Sequence, residues 1–132
     1  MELRRKIPAT PIAPSEARVI ARTLKGVIPP PVVDDLEVIV SELATNVLQH
    51  SGLRPDDSFE VRMSLDSSKL RVEVWDEGLL DIARDAQQSE PEPLLEGGRG
   101  LQLVEALSSR WSVEKIDGTA AWAEIDLPTM GA

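Results

Sequence analysis

Three polar residues of one predicted helix have the types and spacing of a catalytic or ligand-binding edge. Glu42, Asn46 and His50 follow one another at four-residue steps, so on a helix they share one line along its side. A carboxylate can take a proton from a reacting hydroxyl group, and an amide oxygen suits Mg²⁺. The alternative for each residue alone is that Glu42 and Asn46 flank the core in contact with water, and that His50 is a satisfied core histidine.

A second candidate site follows the predicted strand that ends at Trp75. Asp76-Glu77-Gly78 comes directly after an alternating apolar run, and the glycine lets the backbone approach a ligand closely. A carboxylate only accepts hydrogen bonds, so Asp76 is suited to receive an exocyclic amine. An ordinary Asx-type turn is the alternative.

A third candidate site is the glycine-rich run Gly97-Gly98-Arg99-Gly100-Leu101, which opens a predicted helix. A helix N-terminus offers unpaired N–H groups and a favourable dipole, so the run is suited to hold a phosphate, with Arg99 as a local cation. A flexible lead-in to the helix is the alternative, because a lone glycine-rich loop is weak evidence for a phosphate site.

The hydrophobic pattern predicts the elements that must position these residues. The order is an extended segment to residue 14, helices at about 15–25 and 33–50, strands at about 59–65 and 70–75, a helix at about 101–107, and strands at 111–116 and 119–127. Hairpin-linked strands with helices gathered separately predict an α+β fold, in which a mixed or antiparallel sheet is covered on one face.

Local signals refine several ends of these elements. Ser15 is predicted to cap the first helix, and the three prolines 29–31 predict a stiff polyproline II connector. Asp34 and Asp35 are placed in the first turn of the second helix, where they suit its dipole. Asp66-Ser67-Ser68 and Asp117-Gly118 are predicted to be hairpin turns.

Composition narrows the class of protein. A length of 132 residues suits one domain, with enough chain to bury a core. The net charge of −9, without a long basic patch, excludes direct nucleic-acid binding. No apolar run approaches the roughly 20 residues of a membrane-spanning helix, and no signal-peptide stretch is present, so we expect a cytoplasmic location. The absence of cysteine excludes disulfides and thiol catalysis.

In order, the segments Glu42–His50, Asp76–Gly78 and Gly98–Leu101 resemble the three nucleotide-binding boxes of the GHKL (Bergerat-fold) ATPase superfamily. The short length, the helix pair near the start and the late strand around Trp122 most resemble its anti-sigma-factor serine/threonine kinases. The similarity covers nearly the whole chain, from about Ile12 to Leu127. It implies a two-layer Bergerat-type sandwich, with about three helices on one face of the sheet.

The resemblance also implies ATP and Mg²⁺ as cofactors, with roles for individual residues. Glu42 resembles the general base, Asn46 the amide that helps to coordinate Mg²⁺, and His50 a residue that shapes the pocket. Asp76 resembles the aspartate that receives the adenine amino group. The remaining nucleotide contacts implied by the resemblance are Gly78, Gly98, Arg99, Gly100, Leu101 and Thr119, with residues 79–97 as the ATP lid.

The resemblance implies an ATP-binding regulator that phosphorylates a STAS-type anti-anti-sigma partner and sequesters a sigma factor. Relatives often dimerise, so a homodimer is also expected. An alternative is a nucleotide-gated binding module without turnover, because Leu80 stands where many members have glycine and the lid is acidic and carries two prolines. A histidine-kinase catalytic domain is disfavoured, since the only histidine is His50. A domain without a ligand would require all three boxes to be coincidental.

Overall fold

A computed structural model of the protein describes residues 1–50, 54, 56–76, 99–114 and 120–128. Its elements are β1 (Glu2–Pro8), α1 (Ala13–Arg22), α2 (Pro30–His50), β2 (Ser58–Leu65), β3 (Lys69–Trp75), α3 (Arg99–Leu107), β4 (Arg110–Glu114) and β5 (Ala120–Asp126). The strands form one sheet in the order β1-β2-β3-β5-β4, and every neighbouring pair is antiparallel. The predicted α+β Bergerat-type sandwich is therefore confirmed, with an antiparallel rather than a mixed sheet.

The core lies between one face of this sheet and the helices. Strand alternation places apolar side chains on that face, and register pairs Val61 with Val74 and Met63 with Val72. The apolar stripe of α2 packs onto it, and all five of its predicted members are fully buried: Leu36, Ile39, Val40, Leu43 and Val47. Helix α2 contacts α1, α3, β3 and β5, so it is the element around which the domain packs.

Helix α1 begins at Ala13, two residues before the predicted cap. Ile12 occupies the N-cap position and makes no side-chain capping hydrogen bond, so the prediction of Ser15 as the cap was wrong. Ser15 lies inside the helix, where its hydroxyl oxygen accepts a hydrogen bond from Arg18 at 2.9 Å. Pro14 is compatible with this earlier start because the first turn of a helix needs no N–H donor from it.

Helix α2 begins at Pro30, so the prediction of a polyproline connector through residues 29–31 was wrong. The N–H groups of Val32 and Val33 both donate to the carbonyl oxygen of Pro29, which closes the first turn. Prolines at this end lose no hydrogen bond, since the first N–H groups of a helix have no partner within it. The earlier start moves Asp34 and Asp35 out of the first turn, which contains no acidic residue.

The β2–β3 hairpin is as predicted. Its turn is held by the Asp66 carboxylate, which accepts hydrogen bonds from the Ser68 N–H at 2.7 Å, the Ser68 hydroxyl at 2.9 Å and the Lys69 N–H at 2.9 Å. These bonds, with the Ser68 backbone bond the strongest, lower the pKa of Asp66 below its usual value. The turn predicted at residues 117–118 lies outside the described residues.

None of the helices within the described ranges is long and apolar enough to cross a membrane.

Candidate functional site

The C-terminal half of α2 carries the first group of predicted site residues. Glu42 is half-buried, one helical turn before Asn46, and His50 is the last residue of the helix. Leu43 and Val47, which directly follow Glu42 and Asn46, are fully buried and anchor this half of the helix in the core. For His50 the structure describes the backbone only.

Asn46 is the polar residue of α2 with the most informative environment. Its side chain is buried, with 7% of the residue exposed, so the alternative in which it stays hydrated beside the core is wrong. Its amide nitrogen Nδ2 is buried and has no hydrogen-bond partner among the described residues. Buried amide groups nearly always form hydrogen bonds. A buried amide without one costs roughly 1–3 kcal/mol of stability, so such a group needs an explanation. This nitrogen is a donor, so an oxygen of a bound phosphate, or of a residue outside the described ranges, would satisfy it.

Asp76 ends the central strand of the sheet. It follows Trp75, the last residue of β3, and is only 1% exposed. Alternation along β3 directs its even-numbered residues, from Leu70 to Val74, toward the core, and Asp76 continues that series. An aspartate in an ordinary turn is mostly exposed, whereas Asp76 is almost fully buried. This burial favours the ligand-binding interpretation over the Asx-turn alternative.

The third predicted segment forms the start of α3. The helix begins at Arg99, with Gly100 next, and its first buried side chain is that of Leu101, which is 2% exposed, among the side chains that the structure describes. Val104, three residues later, is fully buried in the core cluster. Leu101 therefore anchors the first turn of α3, and the N–H groups of that turn begin at Arg99, as the phosphate interpretation requires.

Chain connectivity and strand register place the end of α2 and Asp76 at one end of the sheet. Helix α2 ends at His50, a few residues before β2 begins at Ser58, and register sets the start of β2 beside Trp75 at the end of β3. Helix α3 packs against α2 and β4, and it ends next to Arg110, whose row lies at the other end of the sheet. Because α3 is about 13 Å long and ends beside that opposite row, we expect its first turn toward the end that carries Asp76.

Three predicted site residues, Gly78, Gly98 and Thr119, lie outside the described residues, as does the predicted lid at 79–97. The backbones of Arg99 and Gly100 are described without their side chains.

The donor set of the described residues fits a shared Mg²⁺ ion better than a metal held by protein alone. Within the described ranges there is no group of three acidic or histidine side chains able to hold a metal. Asn46 offers one amide oxygen beside the half-buried Glu42. Mg²⁺ is commonly bound by one or two protein ligands together with water and substrate phosphates, so an ion that arrives with a nucleotide is consistent with this site.

A second group of polar residues was missed by sequence reasoning, which concentrated on the apolar face of the strands. On the opposite face, the guanidinium of Arg62 lies 4.8 Å from the ring centre of Trp75, and that of Arg71 lies 4.2 Å from the ring centre of Trp122. Glu124 accepts hydrogen bonds from Arg71 at 2.9 Å and from Arg110 at 2.6 Å. The sequence signal for this group was the alternation of polar or aromatic residues with apolar ones along β3, at Lys69, Arg71, Glu73 and Trp75.

This network shifts the titration of its members. Partial burial opposes ionisation of Glu124, but hydrogen bonds from Arg110 and Arg71 outweigh it and lower the pKa of Glu124 below its usual value. Glu73 behaves in the same way: burial raises its pKa, but hydrogen bonds from Arg71 and from the indole N–H of Trp75 outweigh burial, so the pKa of Glu73 is lowered overall. Both carboxylates are therefore ionised at neutral pH.

Comparison with solved structures finds a protein with a similar fold. The crystal structure of the RsbU and RsbW domains of Rv1364c from Mycobacterium tuberculosis matches 98% of this chain with a TM-score of 0.69 and 20% sequence identity. The chain spans 33% of the length of that protein. At this identity the likeness shows a shared fold. A search of curated proteins finds no match.

The sequence profile of the histidine kinase-like ATPase domain family matches residues 7–124, a range that contains all three predicted boxes and the elements that carry them. ATP binding, usually with Mg²⁺, is the property that this family implies. The chain belongs to the histidine kinase-like ATPase domain family, and its resemblance to the GHKL ATPases is confirmed.

Proposed function

We propose that this protein is an ATP-dependent serine/threonine kinase of the anti-sigma type, which phosphorylates a STAS-type anti-anti-sigma partner and sequesters a sigma factor. The observation that carries the proposal is the pair on α2: a half-buried Glu42 one turn before a buried Asn46 whose Nδ2 has no described partner. The match to a structure that includes an RsbW domain supports the choice of branch.

In this proposal each residue has a physical role. Asp76 receives the adenine amino group in its buried position, and the first turn of α3 faces the phosphates. Asn46 would help to hold Mg²⁺, and bound Mg²⁺–ATP would supply its γ-phosphoryl group to the partner's serine oxygen and leave as ADP. Glu42 accepts the proton of the partner's serine hydroxyl, and its partial exposure leaves it reachable from solvent.

A phosphorylation assay with a purified STAS-domain protein tests the kinase proposal. We expect the wild type to form phosphoserine in the presence of Mg²⁺–ATP. The isosteric Glu42→Gln variant should bind nucleotide normally but lose activity by about 10²-fold or more, since general-base catalysis contributes roughly that factor. Glu37→Gln is the matched control, because Glu37 lies on the same helix but pairs with Arg22 at 3.0 Å. A Glu42→Gln variant as fast as the wild type would remove Glu42 from catalysis.

The second candidate function is a binding module that nucleotide gates without turnover. Leu80, in place of the glycine that many relatives carry, favours it. Its signature would be a partner complex whose affinity differs between ATP and ADP while no phosphoserine forms. Phosphoserine that depends on added ATP contradicts it.

The remaining features of the proposal concern the whole chain. We propose that residues 1–132 act as one domain, with an extended segment at 1–14 and residues 79–97 as the lid over the nucleotide. We place its action in the cytoplasm, where sigma factors and ATP are found together. The pocket-shaping role of His50 and the nucleotide contacts of Gly78, Gly98 and Thr119 belong to the same proposal.

A further inference from the structure

Strand β1 lies at one edge of the sheet. The strand order places it beside β2 only, and no other strand of the described ranges pairs with it. Its seven residues keep one continuous register with β2, from Glu2 to Pro8, without a bulge. An edge strand of this kind presents a row of backbone groups to which a further strand can bind.

The hydrogen bonds at the two ends of β1 show which of its backbone groups face β2. At one end, the N–H of Leu65 donates to the carbonyl oxygen of Met1 at 2.9 Å, and the nitrogen of Met1 donates to the carbonyl oxygen of Leu65 at 3.1 Å. At the other end, the N–H of Ala9 donates to the carbonyl oxygen of Asp57 at 2.9 Å. Bonded and non-bonded pairs alternate along an antiparallel ladder, so the odd-numbered residues of β1 direct their backbone groups toward β2.

The even-numbered residues Glu2, Arg4 and Lys6 therefore direct their N–H and C=O groups away from the sheet. The side chain of Arg5 agrees with this assignment, because its Nη1 donates to the carbonyl oxygen of Arg4 at 2.8 Å. The Arg5 guanidinium thus covers part of the outer edge, and an added strand has to replace its hydrogen bond.

This edge is basic although the chain as a whole is acidic. Arg4, Arg5 and Lys6 are all exposed, and these three cations with the one anion Glu2 give β1 a net charge of +2, against −9 for the chain. The Nε of Arg4 lies 3.6 Å from Oε1 of Glu2, but both side chains are more than half exposed, so this pair contributes little. Neither Arg5 nor Lys6 forms an ion pair within the described ranges.

The cations make the edge selective for the charge of an incoming strand. Cations on an edge strand usually keep other strands away, and two copies of β1 would bring together two net charges of +2. A neutral strand leaves the cations unpaired and competes with Arg5 for the carbonyl oxygen of Arg4. A carboxylate instead binds the Arg5 guanidinium itself, because a hydrogen bond between two charged groups is roughly twice as strong as one between neutral groups.

We propose that β1 binds an extended acidic segment of another protein as a sixth strand of the sheet. Alternation sets Arg4 and Lys6 on one face and Arg5 on the other, so three consecutive acidic residues of the segment meet all three cations. Backbone hydrogen bonds hold the segment, and its carboxylates select it. Salt screens the overall charge of −9 beyond about 8 Å at physiological ionic strength, so the nearby cations dominate. This inference does not depend on the nucleotide site.

Hydrogen exchange of the isotope-labelled full chain, followed by NMR, tests the pairing of strands. The probe is a capped seven-residue peptide of threonine and valine with three central glutamates, and the control peptide has glutamines in their place. We expect the N–H groups of Arg4 and Lys6 to exchange about tenfold more slowly when the glutamate peptide is present at about ten times its Kd. Those of Leu3, Arg5 and Ile7 bond to β2 and should be protected with and without peptide. Charge attraction without an added strand does not produce this alternation.

Two lysine variants test the selection by charge, with binding of both labelled peptides followed by fluorescence anisotropy. Lys6→Gln should weaken binding of the glutamate peptide about two- to fivefold, the effect of one cross-strand charge pair, and leave the glutamine peptide unaffected. Lys25→Gln is the matched control, because Lys25 is exposed on the connection between α1 and α2 and the variant has the same change of charge. It should bind the glutamate peptide as the wild type does.

The proposal is overturned if the glutamate peptide does not bind, or if the glutamine peptide binds as tightly. It is also overturned if Lys25→Gln weakens binding as much as Lys6→Gln, which would show a general effect of charge. Protection of the Arg4 and Lys6 amides that rises with protein concentration in the absence of peptide would assign this edge to a second copy of the chain instead.

Discussion

At the scale of single residues, Asn46 is buried at a position where the packing of the fold does not need its amide group. The core around it is complete without its amide, since Leu43 and Val47 fill the stripe of α2. A buried nitrogen that no described residue pairs costs the folded state free energy unless another group satisfies it, and an alanine would avoid that cost. We propose that its presence serves ligand binding rather than stability.

We therefore expect Asn46→Ala not to lower the stability of the nucleotide-free protein by more than about 1 kcal/mol, because the amide nitrogen that it removes has no partner among the described residues. The same variant should lose most of the stabilisation that Mg²⁺–ATP gives to the wild type. Thermal unfolding with and without nucleotide measures both effects. Thr45→Ala is the control, since the Thr45 hydroxyl is satisfied by the Ser41 carbonyl oxygen at 2.8 Å. An unchanged nucleotide effect in Asn46→Ala would exclude Asn46 from the site.

Glu124 is one of the carboxylates whose ionisation stabilises the sheet face that points away from the apolar core. Its pKa is lowered in the folded protein, so its ionised form contributes stability that is complete above the unfolded value of about 4.3 and is lost as pH falls through the folded value. We expect Glu124→Gln to lower the free energy of unfolding by about 1–2 kcal/mol at pH 7.

Urea unfolding of wild type and Glu124→Gln from pH 7 to pH 3 measures this effect. The difference between the two proteins should stay constant down to about pH 5 and narrow below about pH 4. Glu105→Gln, at an exposed position of α3, is the comparison and should match the wild type at neutral pH. A difference that widens on acidification would contradict the assigned sign.

At the scale of elements, the connection between α1 and α2 contains a glycine with a left-handed backbone conformation. Gly26 adopts a positive φ of 84° and lies between Lys25 and Ile28, which are joined by an isolated bridge. No atom lies within 4 Å of the position that a Cβ at residue 26 would take. The need for glycine is therefore one of backbone conformation and not of space.

This predicts a cost of about 1 kcal/mol for Gly26→Ala, arising from the left-handed conformation alone. Gly26→Asn should cost less, because asparagine tolerates that conformation better than alanine. Urea unfolding midpoints rank the three proteins. Equal losses for alanine and asparagine would show that backbone conformation is not the cause.

At the scale of the whole molecule, adenine-nucleotide binding should appear as added stability. A ligand at about 100 times its Kd adds about 2.7 kcal/mol to the free energy of unfolding. We expect a rise in the melting temperature with Mg²⁺–ATP and Mg²⁺–ADP, and a smaller one with Mg²⁺–GTP, which has no exocyclic amine at the same place for Asp76 to receive. Asp76→Ala should remove the preference for adenine. Equal shifts with ATP and GTP would contradict the role of Asp76, and no shift with any nucleotide would leave a partner-binding module.

Sequence alone determined the elements whose periodicity is long and clear, and with them the family. The stripe of α2 and the alternation of the β2–β3 hairpin follow from burial on one side of a helix or strand, which leaves a repeating pattern in the chain. The three boxes were visible for the same reason, since each is a short run of defined residue types next to such an element. Helix starts were less visible: at Pro30 and Ala13 the first turn needs no N–H donors, so prolines that usually interrupt a helix began one.

Only the tertiary structure decided which polar residues are buried and which charged residues form pairs. The burial of Asn46 and Asp76 depends on packing between α2, α3 and the end of β3, and no local pattern records it. The pairing of Arg71 with Glu124 joins residues 53 positions apart through strand register. Sequence specifies the faces of each element by local periodicity, whereas burial and charge pairing arise from long-range contacts that exist only after those faces meet.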